Sequence, residues 1–440
     1  ARASARERAN MAAAVAPADA AATVAAHDLT HTIAKHLDKH LVLPLLEFLQ
    51  TQGCYEQKSV LRAKLALLEK TNMIDFAIDI YKELEGKEEP PKEMMELRES
   101  VLVKMQTLIE QAAPMVEFLS DPAKLANLQQ DREYNLAVLA QAGLGTEQVE
   151  SLYSFAKLQF DCGNYSAAAE FLYHYRTLTQ SPERAFNALW GKLGAEILMQ
   201  NWQVALDDLN RLKEAIDTRT FPSALVQLQQ RTWLLHWALF IFFNHENGRN
   251  LIVDLFMQER YLNAIQTTAP HLLRYLATAV VINKRRSGAQ KDLIRVIQME
   301  KHSFSDPVCE FLECLYVSYD FDGAQQHLRE CANVLSNDFF LVACKDEFVE
   351  SARHLIFETY CRIHHVIDIA MLGEKLNMDQ ADAERWVVNL IRHAGLDAKI
   401  DSQAGTVIMG SKASTLYEKI IDKTKGLAAR TYQLGGAVLA

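Results

Sequence analysis

Three twelve-residue stretches of this chain follow one template: NYSAAAEFLYHY from Asn164, NWQVALDDLNRL from Asn201 and DFDGAQQHLREC from Asp320. In each, an aromatic residue (Tyr165, Trp202, Phe321) is followed three positions later by Ala (Ala168, Ala205, Ala324). Leu follows at position seven (Leu172, Leu209, Leu328). Offsets of zero, three and seven fall on one face of an α-helix. There the aromatic anchors, the small Ala lets a neighbouring helix approach, and the Leu fills the next layer. A chain that repeats this face must stack helix on helix.

The rest of the sequence agrees. There are only seventeen Gly and ten Pro in 440 residues, about half the usual share of breakers. The packing logic is that of tetratricopeptide-like helical hairpins, whose repeat is about 34 residues. The first two copies start near that spacing and the third lies much further on, so the array is irregular. The expected fold is mainly α, a right-handed solenoid of helical pairs. Leu29, Ile33, Leu37 and Leu41 predict an apolar stripe down one helix, with Pro44 breaking or kinking the segment. Residues 59–84 predict two helices with a turn near Thr71 and Asn72, closed by the charged turn GKEEPPKE. A long helix over 93–119 should be interrupted near Pro114, and another should start at 120–122. Residues 231–283 are so densely apolar and aromatic that their helices should be buried on more than one side. The run LLHWALFIFF (234–243) is well short of the ~20 residues that cross a bilayer, so no membrane partner is expected.

The period changes near the C-terminal end, in AERWVVNLIRHAGLDAKIDSQAGTVIMG. Trp386, Val387, Leu390 and Ile391 recur at helical spacing. After Gly395 there is strict alternation: Leu396, Ala398 and Ile400 on one face, Asp397, Lys399 and Asp401 on the other. Residues 371–378 predict a short helix and Asp379 caps the next. Helix, helix, hairpin is the outline of a winged helix. Such a domain reads DNA through Lys and Arg set toward phosphate. Across residues 372–410 four basic side chains (Lys375, Arg385, Arg392, Lys399) face six acidic ones, and AERWVVNLI is too apolar for a groove reader. The surface should bind protein, in part by sheet extension at the wing, and no DNA.

No catalytic constellation is present. There is no phosphate loop, dinucleotide fingerprint, hydrolase elbow or HExxH. No His-x-His pair occurs among the fourteen histidines, so no catalytic, cofactor or metal residues are assigned. His36 and His40, at i and i+4, could hold half a zinc site, though a solvated pair of helix histidines is the simpler reading. Cys361 with His364 and His365 is likewise half a site. The sequon at Asn164 sits inside a repeat and is discounted. Seven scattered cysteines without CxxC suit a reducing compartment. Net charge is −10, against bulk polyanion binding. The loop Lys284, Arg285, Arg286 could touch RNA phosphate, a solvated loop being the simpler alternative. Ala-rich residues 1–26, preceding and following Met11, read as a disordered tail rather than a transit peptide.

Helical repeats, a non-basic winged helix and a terminal helix (STLYEKIIDKTKGLA, 414–428) resemble the PCI module of the proteasome lid, the COP9 signalosome and eukaryotic translation initiation factor three. The blocks TIAKHLDKHLVLPLLEFL, FDCGNYSAAAEFLY, QQRTWLLHWALFIFFNH, YLNAIQTTAPHLLRYL and AERWVVNLIRHAGLDAKID resemble one PCI-subunit family of that initiation factor. The resemblance implies a non-catalytic, cytoplasmic (and secondarily nuclear) scaffold. Its partners would be other PCI and MPN subunits and the small (40S) ribosomal subunit, with the cap-binding scaffold factor and mRNA reached indirectly. A subunit of the proteasome lid or the signalosome is the alternative. The resemblance further implies subunit pairing through the wing, Ala398, Lys399, Ile400 and Asp401 with Thr406, Val407, Ile408 and Met409, backed by Trp386 and Leu390. A shared helical bundle would use Leu416, Tyr417, Ile420 and Ile421. The expected division is a tail at 1–26, an N-terminal repeat domain at 27–230, PCI helices at 231–349, a winged helix at 350–410 and a terminal helix and tail at 411–440.

Overall fold

The computed structural model describes residues 27–53, 55–86, 89–121, 132–283, 287–364, 366–369, 398–401, 405–409 and 416–439, with 385, 387–389 and 391 between them. The expected tail, the helix starting at 120–122, the short helix of 371–378 and the loop Lys284–Arg286 lie outside the described residues, as do Trp386 and Leu390.

The first elements are α1 (Thr30–Ala34), α2 (Lys39–Gln52), α3 (Gln57–Leu68), α4 (Ile74–Glu85) and α5 (Lys92–Ser120). The single helix expected across Leu29–Leu41 is instead two. Asp38 adopts an extended backbone and its carboxylate accepts from the His40 N–H. That N-cap starts a new helix where the apolar spacing alone would have continued the old one. His36 and His40 therefore do not share a helix. Helix α2 runs through Pro44, and α5 runs unbroken through Pro114. Proline forfeits one backbone bond. Around Pro114, Ala112 is buried and Met115, Phe118 and Leu119 pack into a buried cluster, which holds the helix together.

Then follow α6 (Arg132–Gln141), α7 (Thr146–Asp161), α8 (Tyr165–Leu178), α9 (Pro182–Leu198) and α10 (Trp202–Thr218). The template helices α8 and α10 bury their Ala and Leu: Ala168 and Ala205 are wholly enclosed, as is Ala324 of the third copy. The three copies share a further device. The residue two before each aromatic, Gly163, Gln200 or Tyr319, has a left-handed backbone. In the first two, the next N–H reaches back five residues, Asn164 to Gln159 O at 2.9 Å and Asn201 to Glu196 O at 3.0 Å, a Schellman closure. The Asn side chains repeat the bond to the same residues, both at 2.9 Å. In the third copy a π-turn, Cys314–Ser318, adds a residue, and Asp320 N reaches Cys314 O.

The middle is α11 (Ala224–Asn244), α12 (Gly248–Phe256), α13 (Glu259–Thr268), a 3-10 turn (Pro270–Leu272), α14 (Leu273–Ile282), α15 (Ser287–Glu300) and α16 (Pro307–Glu313). Every residue from Leu234 to Phe242, and all of α14, is buried. The run therefore forms helices enclosed on all sides. No helix among the described residues is long and apolar enough to cross a membrane. Arg274 of α14 is fully buried and held by Asp306 and by Asp338, which also accepts from Tyr275 Oη at 2.8 Å. Burial pulls the guanidinium pKa down, but the two carboxylates outweigh it and hold the group charged. Helices α17 (Phe321–Ser336) and α18 (Lys345–Ile363) lead to strands β1 (Val366–Asp368), β2 (Ala398–Asp401) and β3 (Thr406–Met409), and to helix α19 (Leu416–Leu439). The chain forms two compact units: Ala1–Glu313 with His327–Ser351, and Cys314–Gln326 with Ala352–Ala440.

Candidate functional site

The second unit carries the wing. Its strand order is β1-β3-β2, antiparallel throughout, with Ala398 opposite Met409 and Ile400 opposite Val407. This is the hairpin that the alternation after Gly395 predicts. Strand β1 is the part that sequence reasoning missed. Three residues are too few to show a period, although Ile367 and Ile369 alternate with Val366 and Asp368. Strand β3 is central, so among the described residues only β1 and β2 offer an open edge.

The sheet has two chemically distinct faces. Inward, Ile367 and Val407 are fully buried with Phe357, Tyr360, Cys361, Ile369 and Val387, and Ala398 and Ile400 pack against them. Phe321 meets Tyr360 edge-on at 5.1 Å. Outward, Lys399 and Asp401 are exposed. Val366 and Ile408, which lie opposite each other in the ladder, keep 57% and 41% of their surface in water. The expected pairing residues thus divide: Val407 belongs to the core, Ile400 backs it, and Ile408, Lys399 and Asp401 look out. Arg385, Val387, Val388, Asn389 and Ile391 are helical.

Helix α19 has an apolar stripe open to water. Tyr417, Ile420, Ile421, Leu427 and Leu434 are all at least half exposed. Thr424 and Thr431 return their hydroxyls to Ile420 O and Leu427 O on the same helix, so neither hydroxyl needs a partner beyond the helix. A helix of this length with an apolar stripe gains its stability from something it packs against.

Among the described residues no group of three or more His, Cys, Asp or Glu is placed to hold a metal. Cys361 lies in the wing's core, where burial, and then Glu358, push its thiol up to about 12. The His364 ring lies tilted against that of Tyr360, with centroids 4.1 Å apart.

The sequence matches two family models. Residues 28–159 match one described as eIF3 subunit 6 N terminal domain, and residues 328–411 match the PCI domain. Among curated proteins, the E subunit of eukaryotic translation initiation factor 3 from Arabidopsis thaliana is 53% identical over 415 residues, covering 92% of this chain and 94% of that one. The protein of the same name from Bombyx mori is 46% identical, covering 91% and 93%. That from Drosophila melanogaster is 47% identical, also covering 91% and 93%. The chain belongs to the E-subunit family of eukaryotic translation initiation factor 3. Membership makes it a subunit of a translation initiation factor and sets aside the proteasome-lid and signalosome alternative.

Proposed function

We propose that this member of the E-subunit family is a non-catalytic scaffold. It joins its neighbours at two surfaces, the outer face and open edges of the wing and the apolar stripe of α19. It thereby helps place the initiation factor on the small ribosomal subunit for mRNA recruitment. The observation that carries this reading is the division of the wing: apolar Val366 and Ile408 stand in water on a sheet whose opposite face packs into a buried cluster. An exposed apolar pair on an open sheet is what strand addition or face packing by a partner would cover. Other PCI and MPN subunits are the proposed occupants. The cap-binding scaffold factor and mRNA would be reached through them, and the cytoplasm would be the compartment. The test is the paired substitution Val366→Asp with Ile408→Asp. The account expects a folded chain with an unchanged melting temperature that no longer co-purifies its neighbouring subunits. Full co-purification by a folded variant would show that the wing face is not the pairing surface.

A further inference from the structure

The first unit contains three imidazoles in contact, contributed by segments far apart in sequence. His36 lies between α1 and α2, His236 in the middle of α11, and His271 in the turn before α14. His236 stacks on His36 with ring centroids 4.3 Å apart. His236 Nδ1 is 2.7 Å from Thr232 O, and its Nε2 is 2.8 Å from Nε2 of His271. A carbonyl can only accept, so Nδ1 of His236 carries the proton and its Nε2 is a bare lone pair. His271 must then donate from Nε2. The pair holds one proton in the contact and has no place for a second.

Neighbouring groups fasten the segment that carries His36. Trp237 Nε1 donates to His36 O at 3.2 Å, and Arg274, one turn beyond His271, donates to His27 O at 2.8 Å. Lys39 reaches Lys70 O at 2.8 Å, and Tyr55 donates to Asp28 at 2.6 Å. Beneath the segment lie Leu45, Leu49, Tyr275, Phe339 and Phe340. We propose that residues 27–40 are an acid-released strap: proton uptake by the His36–His236–His271 cluster sets two donors against each other in the His236–His271 contact, then two cations in the His36–His236 stack, and lifts the segment from the helices it crosses.

The surroundings favour this. The charges acting on the rings are cationic, Lys35 beside His36 and Arg274 beside His271. The charge of Arg274 is itself held by Asp306 and Asp338, so its bond to His27 does not depend on the rings. At the end of the segment, His40 faces the Tyr165 hydroxyl, with Asp38, Asp161 and Lys39 acting on it. Burial, then neighbouring charge, lowers all three rings, His271 to about 4 and His236 well below its ordinary value. An unfolded histidine titrates near ~6.5. A lowered native pKa means that the unfolded or released state takes up protons first. The strap is therefore at full strength above about pH 6.5 and weakens as pH falls toward the native values.

Hydrogen–deuterium exchange on the full chain at pH 7.5 and 5.5, corrected for intrinsic exchange rates, tests this. The amides of Thr32, Ile33, His36 and Leu37, all bonded within the strap, should exchange at least tenfold faster at pH 5.5. Those of Leu234–Phe242 should not change. His36→Phe keeps the stack but replaces a cation–cation contact with a cation–aromatic one, and should hold the strap closed at pH 5.5. Equal protection of the wild-type strap at both pH values overturns the proposal. So does a folded His36→Phe chain that opens as the wild type does.

Discussion

Single residues decide several outcomes that their chemistry alone would not. Val407 and Ile408 are adjacent β-branched residues, yet one is fully buried and the other stands in water. Val407→Asp would place an unpaired carboxylate among Phe357, Tyr360 and Ile367. It should unfold the wing at a cost of several kcal/mol, seen as loss of the near-UV signal and rapid proteolysis after α18. Ile408→Asp should leave both intact. Arg274 is a second case. Arg274→Met leaves Asp306 and Asp338 buried without their counter-ion, an expected loss of about 3–5 kcal/mol in urea unfolding. A loss below about 1 kcal/mol would mean that the carboxylates find other partners. Gln200 works in the opposite direction. Its backbone is left-handed, φ 61°, where Gly163 serves the equivalent repeat. Gln200→Gly should stabilise the chain by about 1 kcal/mol. An unchanged or lower midpoint would show that the Schellman closure is not strained there. The buried Ala of each repeat was legible in the sequence because position three has one meaning on a helix. The left-handed turn was not, since Gln200 and Tyr319 carry no glycine to announce it. The histidine cluster was invisible for another reason: its members meet only in the folded chain.

At the scale of elements, local chemistry overrode periodicity where the two disagreed. Four leucine-like positions from Leu29 to Leu41 fit one helix, but the Asp38 carboxylate caps a new one. Pro114 suggested a break, but burial on both sides kept α5 whole. The hairpin β2–β3 was legible because alternation, turn and Gly405, with its left-handed φ of 63°, agree. Strand β1 was hidden by its length, and with it the fact that β3 has no open edge. Helix α19 makes the plainest prediction at this scale. Ile420→Asp with Ile421→Asp changes residues that are each 50% exposed, so chain stability should shift by under about 0.5 kcal/mol per site while bundle partners are lost. A drop of many degrees in melting temperature would mean that the stripe packs against this chain itself.

Over the whole molecule the same principle recurs: faces are packed where the chain can supply a partner and left apolar where it cannot. The helical-repeat class was readable from three template copies and a shortage of breakers, because stacking is the only way such faces leave water. Charge in the sequence argued against DNA and for the protein-binding role proposed for the winged helix. Which apolar residues of the wing serve its core, and which face outward, required the fold. The account as a whole is that of an initiation-factor subunit whose work is to hold neighbours together. The measurement that tests it most directly is affinity purification of the tagged chain from cytosol, with quantitative mass spectrometry of partners and sequencing of bound RNA. The account predicts other subunits of the initiation factor in near-equal amounts, together with small-subunit ribosomal RNA, and their loss with Val366→Asp/Ile408→Asp. Recovery of the chain alone, or with proteasome-lid or signalosome subunits and no ribosomal RNA, would contradict it.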